Sequence, residues 1–368
     1  MEHTIVLGGG VIGLSVAFQL AMDGKTVSVL EINTCGGQAS GAAAGMLAPY
    51  SEISEDPDDF FRLCLASLRA FKEWQASVKQ ESGMTFEFTE SGSLHCVYHE
   101  ADLLSLATRK AWQEEFGAKV DVLTPEELKK KEPELAEDII GAIHYPEEAH
   151  VYAPDYVKAL QQACRNRGVH IYEQLKHVSL VKTEPHIELQ SASGQRFTAD
   201  QLVVATGAWA KELESQLGLN LPIYPIRGQI CAYHIEPGRI RHILYTSQGY
   251  LVPKANGTLV NGASEDIAGF QTEITDKGIR RLTNWNHKIV PFLAELTPFH
   301  KWAGLRPATQ DGYPLIGFLR NHPRVFMACG HYRNGILLSA ITAKVASAQL
   351  AGQEPPVPIA LFDPDRFS

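Results

Sequence analysis

The first thirty-one residues constrain this chain more than any other stretch. Thr4, Ile5, Val6 and Leu7 form a short apolar run that stops at Gly8-Gly9-Gly10-Val11-Ile12-Gly13. Apolar positions at helical spacing (Val11, Leu14, Ala17, Phe18, Leu20, Ala21) follow at once, so the pattern predicts strand, tight turn and helix. In this G-x-G-x-x-G spacing Gly8 makes the turn, Gly10 admits a pyrophosphate to the backbone, and Gly13 lets helix lie close on strand. The helix start adds unpaired N–H groups and the positive end of a dipole. A second buried strand over residues 25–30 then delivers Glu31, whose carboxylate can accept both hydroxyls of an adenosine ribose and would repel a 2′-phosphate. A dinucleotide is implied, and NAD and FAD proteins both use this frame.

The rest of the chain excludes several alternatives. Its 368 residues suit two domains, and 45% hydrophobic with 20% charged residues is an ordinary soluble composition. A formal charge of −9 offers no general attraction for nucleic acid or an anionic membrane. Lys129-Lys130-Lys131 is flanked by Glu126, Glu127, Glu132 and Glu134 and reads as a solvated helix face. The six cysteines (Cys35, Cys64, Cys96, Cys164, Cys231, Cys329) are scattered, without C-x-x-C or metal-ligand spacing, which suggests reduced thiols in the cytoplasm. The chain enters its first strand almost directly, leaving no room for a signal peptide, and Lys344 breaks its longest C-terminal apolar run, so no membrane span is expected.

Residues 35–47 form a loop of very small side chains. They either open a helix packed tightly on the sheet or let backbone approach something large and flat. Residues 58–83 are helical, with Phe60, Leu63, Cys64, Ser67, Leu68, Phe71 and Trp74 on one stripe. Short strands near 86–88 and 93–97, a helix at 100–116 and a Thr124-Pro125 helix start follow. Residues 155–168 are helical, 170–172 extended, and 178–200 hairpin-like. Residues 202–209 read as a buried strand halted at Thr206-Gly207 and leading into a helix. Alternation over 229–263, with a turn at Asn256-Gly257, predicts antiparallel strands; a helix over 276–290 closes that region. A strand end at Trp302–Pro307 carries Arg306, and a last strand at 325–329 runs through Gly330-His331-Tyr332-Arg333-Asn334-Gly335 into a helix over 336–350. Residues 354–358 read as a Pro-rich terminal tail.

GGGVIG with Glu31, SGAAAGML, VVATGAW, and WAGLRP followed by GHYRNGILL together resemble the D-amino-acid oxidase superfamily of FAD-dependent amine oxidases, and within it the glycine oxidases of thiamine biosynthesis. The resemblance covers nearly the whole chain. It implies a Rossmann-like FAD-binding domain (residues 1–84, 148–212 and 302–368) joined to a second, mostly antiparallel substrate domain (85–147 and 213–301). It also implies non-covalent FAD, since no cysteine stands near Arg306 where related enzymes attach their flavin. FAD would meet Gly8, Gly10, Val11, Ile12, Gly13, Glu31, Ile32, Ala39, Ser40, Ala44, Gly45, Met46 and Val178. Its flavin would lie near His331, Tyr332, Arg333, Asn334, Gly335, Ile336 and Leu337, at the start of the last helix, whose dipole favours the reduced anion.

By the same resemblance Arg306 holds the substrate carboxylate by planar two-point pairing, Tyr250 bonds that carboxylate or packs in the core, and Arg333 contacts substrate or orders the helix start. Two departures stand out: Gln248 occupies a position that can be histidine in glycine oxidases, and Arg227 replaces a frequent lysine. The implied reaction gives hydride from glycine, sarcosine or a small D-amino acid to FAD, with O2 reoxidation to H2O2 and hydrolysis of the imino acid to an oxoacid. The family further implies a homo-oligomer. The alternatives are a D-amino-acid dehydrogenase that passes electrons to quinone, for which no amphipathic membrane helix is evident, and a flavin domain in RNA modification, which the acidic balance disfavours.

Overall fold

The computed structural model describes residues 2–53 and 57–367. Met1 and Ser368, the outer limits of the expected FAD-binding ranges, lie outside the described residues. The N-terminal strand His3–Leu7 is the inner strand of a six-stranded sheet. The order across that sheet is Leu315–Leu319, His322–Cys329, Gln201–Val204, His3–Leu7, Thr26–Leu30, His170–Tyr172. All neighbours run parallel except the edge pair Leu315–Leu319 with His322–Cys329. The first helix, Val11–Met22, leaves the glycine turn and is buried nearly all round. It packs between the last helix, Gly335–Leu350, and the helix Ala153–Asn166. This explains why its apolar residues do not confine themselves to one stripe: the helix lies in the middle of a layer rather than at its surface.

Two glycines make the turn sterically feasible. Gly8 has φ +110°, and a Cβ there would lie 2.4 Å from the Ala205 carbonyl oxygen of the adjacent strand-to-helix turn. A Cβ on Gly13 would lie 1.9 Å from the Gly8 carbonyl oxygen. The expected tasks of these residues are therefore visible as backbone packed on backbone.

The second large sheet has eight strands in the order His300–Thr309, Ile223–His234, Thr258–Gly262, Gly249–Pro253, Ile243–Thr246, Ser93–Val97, Gly141–Tyr145, Asp121–Leu123. It is antiparallel except where Ile243–Thr246 runs beside Ser93–Val97. Helix Asp276–Ile289 covers one of its faces, burying Ile279, Leu282, Trp285 and Ile289. A three-stranded meander, Val178–Lys182, Ile187–Ser191 and Arg196–Ala199, closes against the first sheet through Ile5, Leu30, Leu202 and Leu213. The mixed α/β architecture, with a Rossmann-like parallel sheet and a mostly antiparallel one, is that expected from sequence.

Local chemistry sets several boundaries. Helix Asp59–Ser82 begins at Asp58, whose side chain accepts from Phe61 N at 2.8 Å, and ends at left-handed Gly83. Thr124 and Glu127 form a reciprocal capping box around Pro125–Lys131. Two expectations need correction. After Val204 the chain enters a 3-10 turn, Gly207–Leu213, and only a four-residue α-helix, Glu214–Leu217, because Gly218 in the left-handed region stops it. Nor does the chain end in a free tail: beyond the prolines Phe362 is fully buried against Phe60 and Tyr313, and Arg366 pairs with Asp311 at 2.7 Å. Removing that ring empties a packed site, so Phe362→Ala should lower unfolding free energy by about 3–5 kcal/mol. Urea denaturation checks this; an unchanged midpoint would mean that the terminal segment is dispensable.

Candidate functional site

A single cavity of about 430 Å³ joins the glycine turn to the start of the last helix. At one end Glu31 accepts from Gly9 N and from Asn33 N, both at 2.8 Å, one bond to each carboxylate oxygen. A carboxylate has about four lone-pair sites, so two backbone bonds leave capacity for the hydroxyls of a ribose. The amide of Val11 is capped by Ser40 Oγ at 2.9 Å, a link between helix start and small-residue loop that the sequence did not disclose. Gly8, Gly10, Val11, Ile12, Ile32, Ala39, Val178 and the segment His331–Ile336 also line the cavity. Gly13 and Leu337 do not: Gly13 lies in the helix-to-turn contact and Leu337 is buried, its carbonyl accepting from Ser67 Oγ.

The small-residue loop is part helix and part cavity wall. Ala39–Ala42 is a short helix, and Ala44, Gly45 and Met46 then run along the cavity, the first two as nearly bare backbone. Gly45 has φ +82°, and a Cβ there would lie 2.0 Å from the Val151 carbonyl oxygen. Two side chains from the second sheet hold this loop: Trp302 Nε1 donates to Ala42 O at 2.9 Å, and Lys254 Nζ to Ala44 O at 2.7 Å and Val151 O at 2.9 Å. The third direction of the buried ammonium meets His150 Nδ1 at 3.3 Å. Burial holds His150 well below the usual histidine range, so its ring is neutral and can accept. Burial also pushes the Lys254 pKa down to about 7, against an opposing pull from Glu87. In sequence Lys254 sits beside Asn256-Gly257 and looks like an ordinary hairpin lysine; nothing local marks it as buried.

At the far end His331 is buried, 3.1 Å from Thr342 Oγ1, and burial lowers its pKa to about 3. A neutral ring bonded to a helix hydroxyl orders the turn before the last helix. Tyr332 holds φ +45°, its amide donating to Pro307 O at 3.0 Å. The helix that follows has no side-chain cap, so its first N–H groups remain available where Gly335 and Ile336 line the wall.

Arg306 enters this cavity from the strand His300–Thr309. Its NH1 donates to Ser264 O at 2.9 Å, and the neighbouring strand leaves space only because residue 228 is glycine: a Cβ there would lie 2.5 Å from the guanidinium. Tyr250 lines the same space; burial raises its hydroxyl pKa while Arg306 and Arg333 oppose the shift. Arg333 is differently placed. Glu52 grips it at 2.9 Å and 3.1 Å, Glu265 at 3.2 Å, and Glu52 above all holds its pKa far above the usual value. Tyr245 OH donates to Glu52 at 3.1 Å, and Tyr332 OH to Glu265 at 3.0 Å. Glu52, Glu265, Ser264 and Lys254 are all absent from the sequence-derived site because each is recognisable only by its partners. Gln248 and Arg227 lie apart, on a second groove, with Arg227 paired to Asp266.

An acceptor carboxylate, a helix start, a slot of bare backbone and a second uncapped helix start, in that order, fit an extended flavin dinucleotide. Cleft and cation-bearing pocket thus define a flavin-type oxidoreductase. The chain belongs to the FAD dependent oxidoreductase family, whose model matches residues 3–349, and FAD is its cofactor. It is 32% identical to a glycine oxidase of Bacillus licheniformis, over 95% of this chain and 93% of that protein. It is 33% identical over its full length to the bifunctional protein ThiO/ThiG of a Synechocystis species, of which it spans 54%. The crystal structure of glycine oxidase from Geobacillus kaustophilus superposes with a TM-score of 0.94 at 29% identity, covering 100% of this chain and 99% of that one.

Two outcomes follow from this geometry. Glu31→Lys replaces the carboxylate expected to accept the ribose hydroxyls with a cation and breaks two backbone bonds, so the purified variant should lose most of its flavin absorbance; full retention would remove Glu31 from the ribose role. Lys254 binds its proton more weakly folded (about 7) than unfolded (10.5). The unfolded chain therefore holds more protons between those values, and the lysine's contribution to stability should rise with pH across that window. Urea titrations at pH 7 and pH 10 should show a gain in the parent relative to Lys254→Met; parallel curves would contradict the buried ammonium.

Proposed function

We propose that this protein oxidises glycine, sarcosine or a small D-amino acid with O2 as acceptor, giving H2O2 and an imino acid that hydrolyses to an oxoacid plus ammonia or amine. One observation carries the reading: Arg306, beside Tyr250, projects into the cavity that also runs to Glu31 and the glycine turn. When bound there, FAD supplies the acceptor for the hydride leaving Cα. The guanidinium of Arg306 binds the substrate carboxylate, and planar pairing fixes the amino acid against rotation. Tyr250, whose raised pKa keeps its hydroxyl protonated, donates to the same carboxylate. The uncapped amides at Gly335 and Ile336 favour negative charge on the adjoining ring edge, acting as preorganised dipoles.

Arg333 has a positioning role in this scheme. Its charge is already met by Glu52 and Glu265, so it joins the helix start to segments on both sides of the cavity. FAD is held without a covalent bond: Cys329, a thiol on the cavity wall, donates to Val204 O at 3.0 Å, and burial pushes its pKa up to about 12, which suppresses the thiolate. The proposed division gives residues 1–84, 148–212 and 302–368 to FAD and residues 85–147 and 213–301 to substrate, although Arg306 stands on a strand of the second sheet. A cytoplasmic homo-oligomer that supplies the thiazole step of thiamine synthesis completes the proposal. Among the described residues no helix is long and apolar enough to cross a membrane.

Anaerobic glycine should bleach the flavin of the purified protein, and air should restore the colour with release of peroxide. Failure of every small amino acid to bleach it would end the proposal, and quinone reduction without peroxide would select the dehydrogenase. Arg306→Ala should keep FAD while kcat/KM falls on the order of a hundredfold, the loss of a charge-assisted pair. Loss of FAD with activity per bound flavin unchanged would assign Arg306 to the cofactor instead.

A further inference from the structure

A second groove lies on the outer side of the eight-stranded sheet, between Arg227 on strand Ile223–His234, Gln248 at a strand turn, and helix Asp276–Ile289. Its wall carries Arg227, Lys277, Arg280, Arg281 and Lys288, with Asp266 as the one acidic residue. That concentration of cations sits on a chain whose formal charge is −9. Lys277, Arg281 and Lys288 recur at i, i+4 and i+11 and so share one helix face. Among the described residues no ion pair engages Lys277, Arg280 or Lys288. Asp266 alone faces both Arg227 Nε at 3.6 Å and Arg281 NH2 at 3.7 Å, too far for a good hydrogen bond to either. Arg227 is only 8% exposed, and its Nε has no hydrogen-bond acceptor. Trp285, 4% exposed, lines the groove with an indole N–H that is likewise unpartnered. Buried donors without acceptors are rare in folded proteins and call for a missing partner.

We propose that this groove binds a small phosphate ester or diphosphate. Arg227 NH1 already donates to Glu273 O at 3.0 Å, but a compact polyanion supplies acceptors for its Nε and for the cations beside it, and the concave shape suits a small molecule better than a flat membrane or a nucleic-acid backbone. The groove also reaches the pocket. Asp266 accepts from Ser264 Oγ at 2.6 Å and from Gln229 Nε2 at 2.8 Å, while the Ser264 carbonyl accepts from Arg306 at 2.9 Å. Glu265, between them, binds Arg333 and Tyr332. Three consecutive residues thus face the groove on one side and the two pocket arginines on the other. An anion that draws Arg227 and Arg281 from Asp266 alters the support of Arg306, so groove occupancy is coupled to substrate affinity. The coupling rests on the oxidase reading; the binding does not.

Isothermal titration of the FAD-loaded protein with inorganic pyrophosphate tests the site. One-to-one saturable binding is expected, weakened about tenfold or more in Lys277→Glu/Arg281→Glu, a loss corresponding to about 1.4 kcal/mol, and undiminished in Arg306→Ala. Pyrophosphate should shift the KM for glycine in the parent at least about twofold and leave the KM of Lys277→Glu/Arg281→Glu unaffected. No saturable binding, equal binding by the charge-reversed variant, or loss of binding in Arg306→Ala would overturn the site, as would binding to anionic vesicles without binding to pyrophosphate. Binding without a KM shift in a glycine-oxidising protein would overturn the coupling. A protein inactive on every amino acid would instead indict the oxidase reading and leave the calorimetry to decide the site.

Discussion

Backbone-on-backbone packing at the glycine turn is the constraint on which the remaining architecture depends. Gly8 meets Ala205, and Gly13 meets Gly8, at distances that admit no side chain. Two parallel strands, His3–Leu7 and Gln201–Val204, can then end together with a helix rising between them, and a crevice opens beyond their carboxyl ends. Ligands of open parallel sheets occupy such crevices because strand ends and helix starts leave polar backbone there that the fold itself does not consume. The packing of two glycines thus brings the helix start and the Glu31 carboxylate to one end of the cavity.

Electrostatic division within the cavity depends in turn on the second sheet. Arg333 and Arg306 both line it, but Arg333 is neutralised by two carboxylates whereas the protein bond donated by Arg306 goes to a carbonyl. A guanidinium already matched by carboxylates has little to gain from another anion, and one bonded to a neutral acceptor has much. Of the two arginines, Arg306 is therefore the one that no carboxylate pairs among the described residues. It rests on a bare backbone position, Gly228, on the neighbouring strand.

How much of this was legible in the sequence follows from whether the signal is local. The first strand-turn-helix, the helix over 58–83, the Thr124-Pro125 helix start and the Asn256-Gly257 turn are each written within a few residues, and all appear as expected. Arg306 was legible because its neighbours form a motif. Lys254 and Glu52 were not, since burial and partnership are long-range properties: Lys254 bonds residues more than a hundred positions away, and Glu52 clamps an arginine near the other end of the chain. One pairing of strand Ile243–Thr246, within the region read as antiparallel, escaped for a related reason. Its parallel partner is Ser93–Val97, and no hairpin turn announces such a pairing.

The buried ionisable groups between the two sheets can be understood in the same terms. Glu148 is fully buried and accepts from Ser51 N at 2.8 Å and Ser51 Oγ at 2.6 Å, with Ser93 Oγ also bonded to it. Burial raises its pKa to about 7 even against those bonds, so at neutral pH it is poised between carboxylate and acid. An apolar side chain there would avoid the cost of leaving water but could not fix the direction of the chain at Ser51. That direction matters, because the next residue is Glu52, whose carboxylate must reach Arg333 and Tyr245 across the cavity. Lys254 does the corresponding work a few residues earlier in the same segment by gripping Ala44 and Val151, beside the pairing of Met46–Leu47 with Ala149–Val151. Two buried polar groups of opposite type therefore hold the two ends of one segment, residues 44–51, and the reach of Glu52 to Arg333 depends on polar groups that the hydrophobic core alone would have excluded.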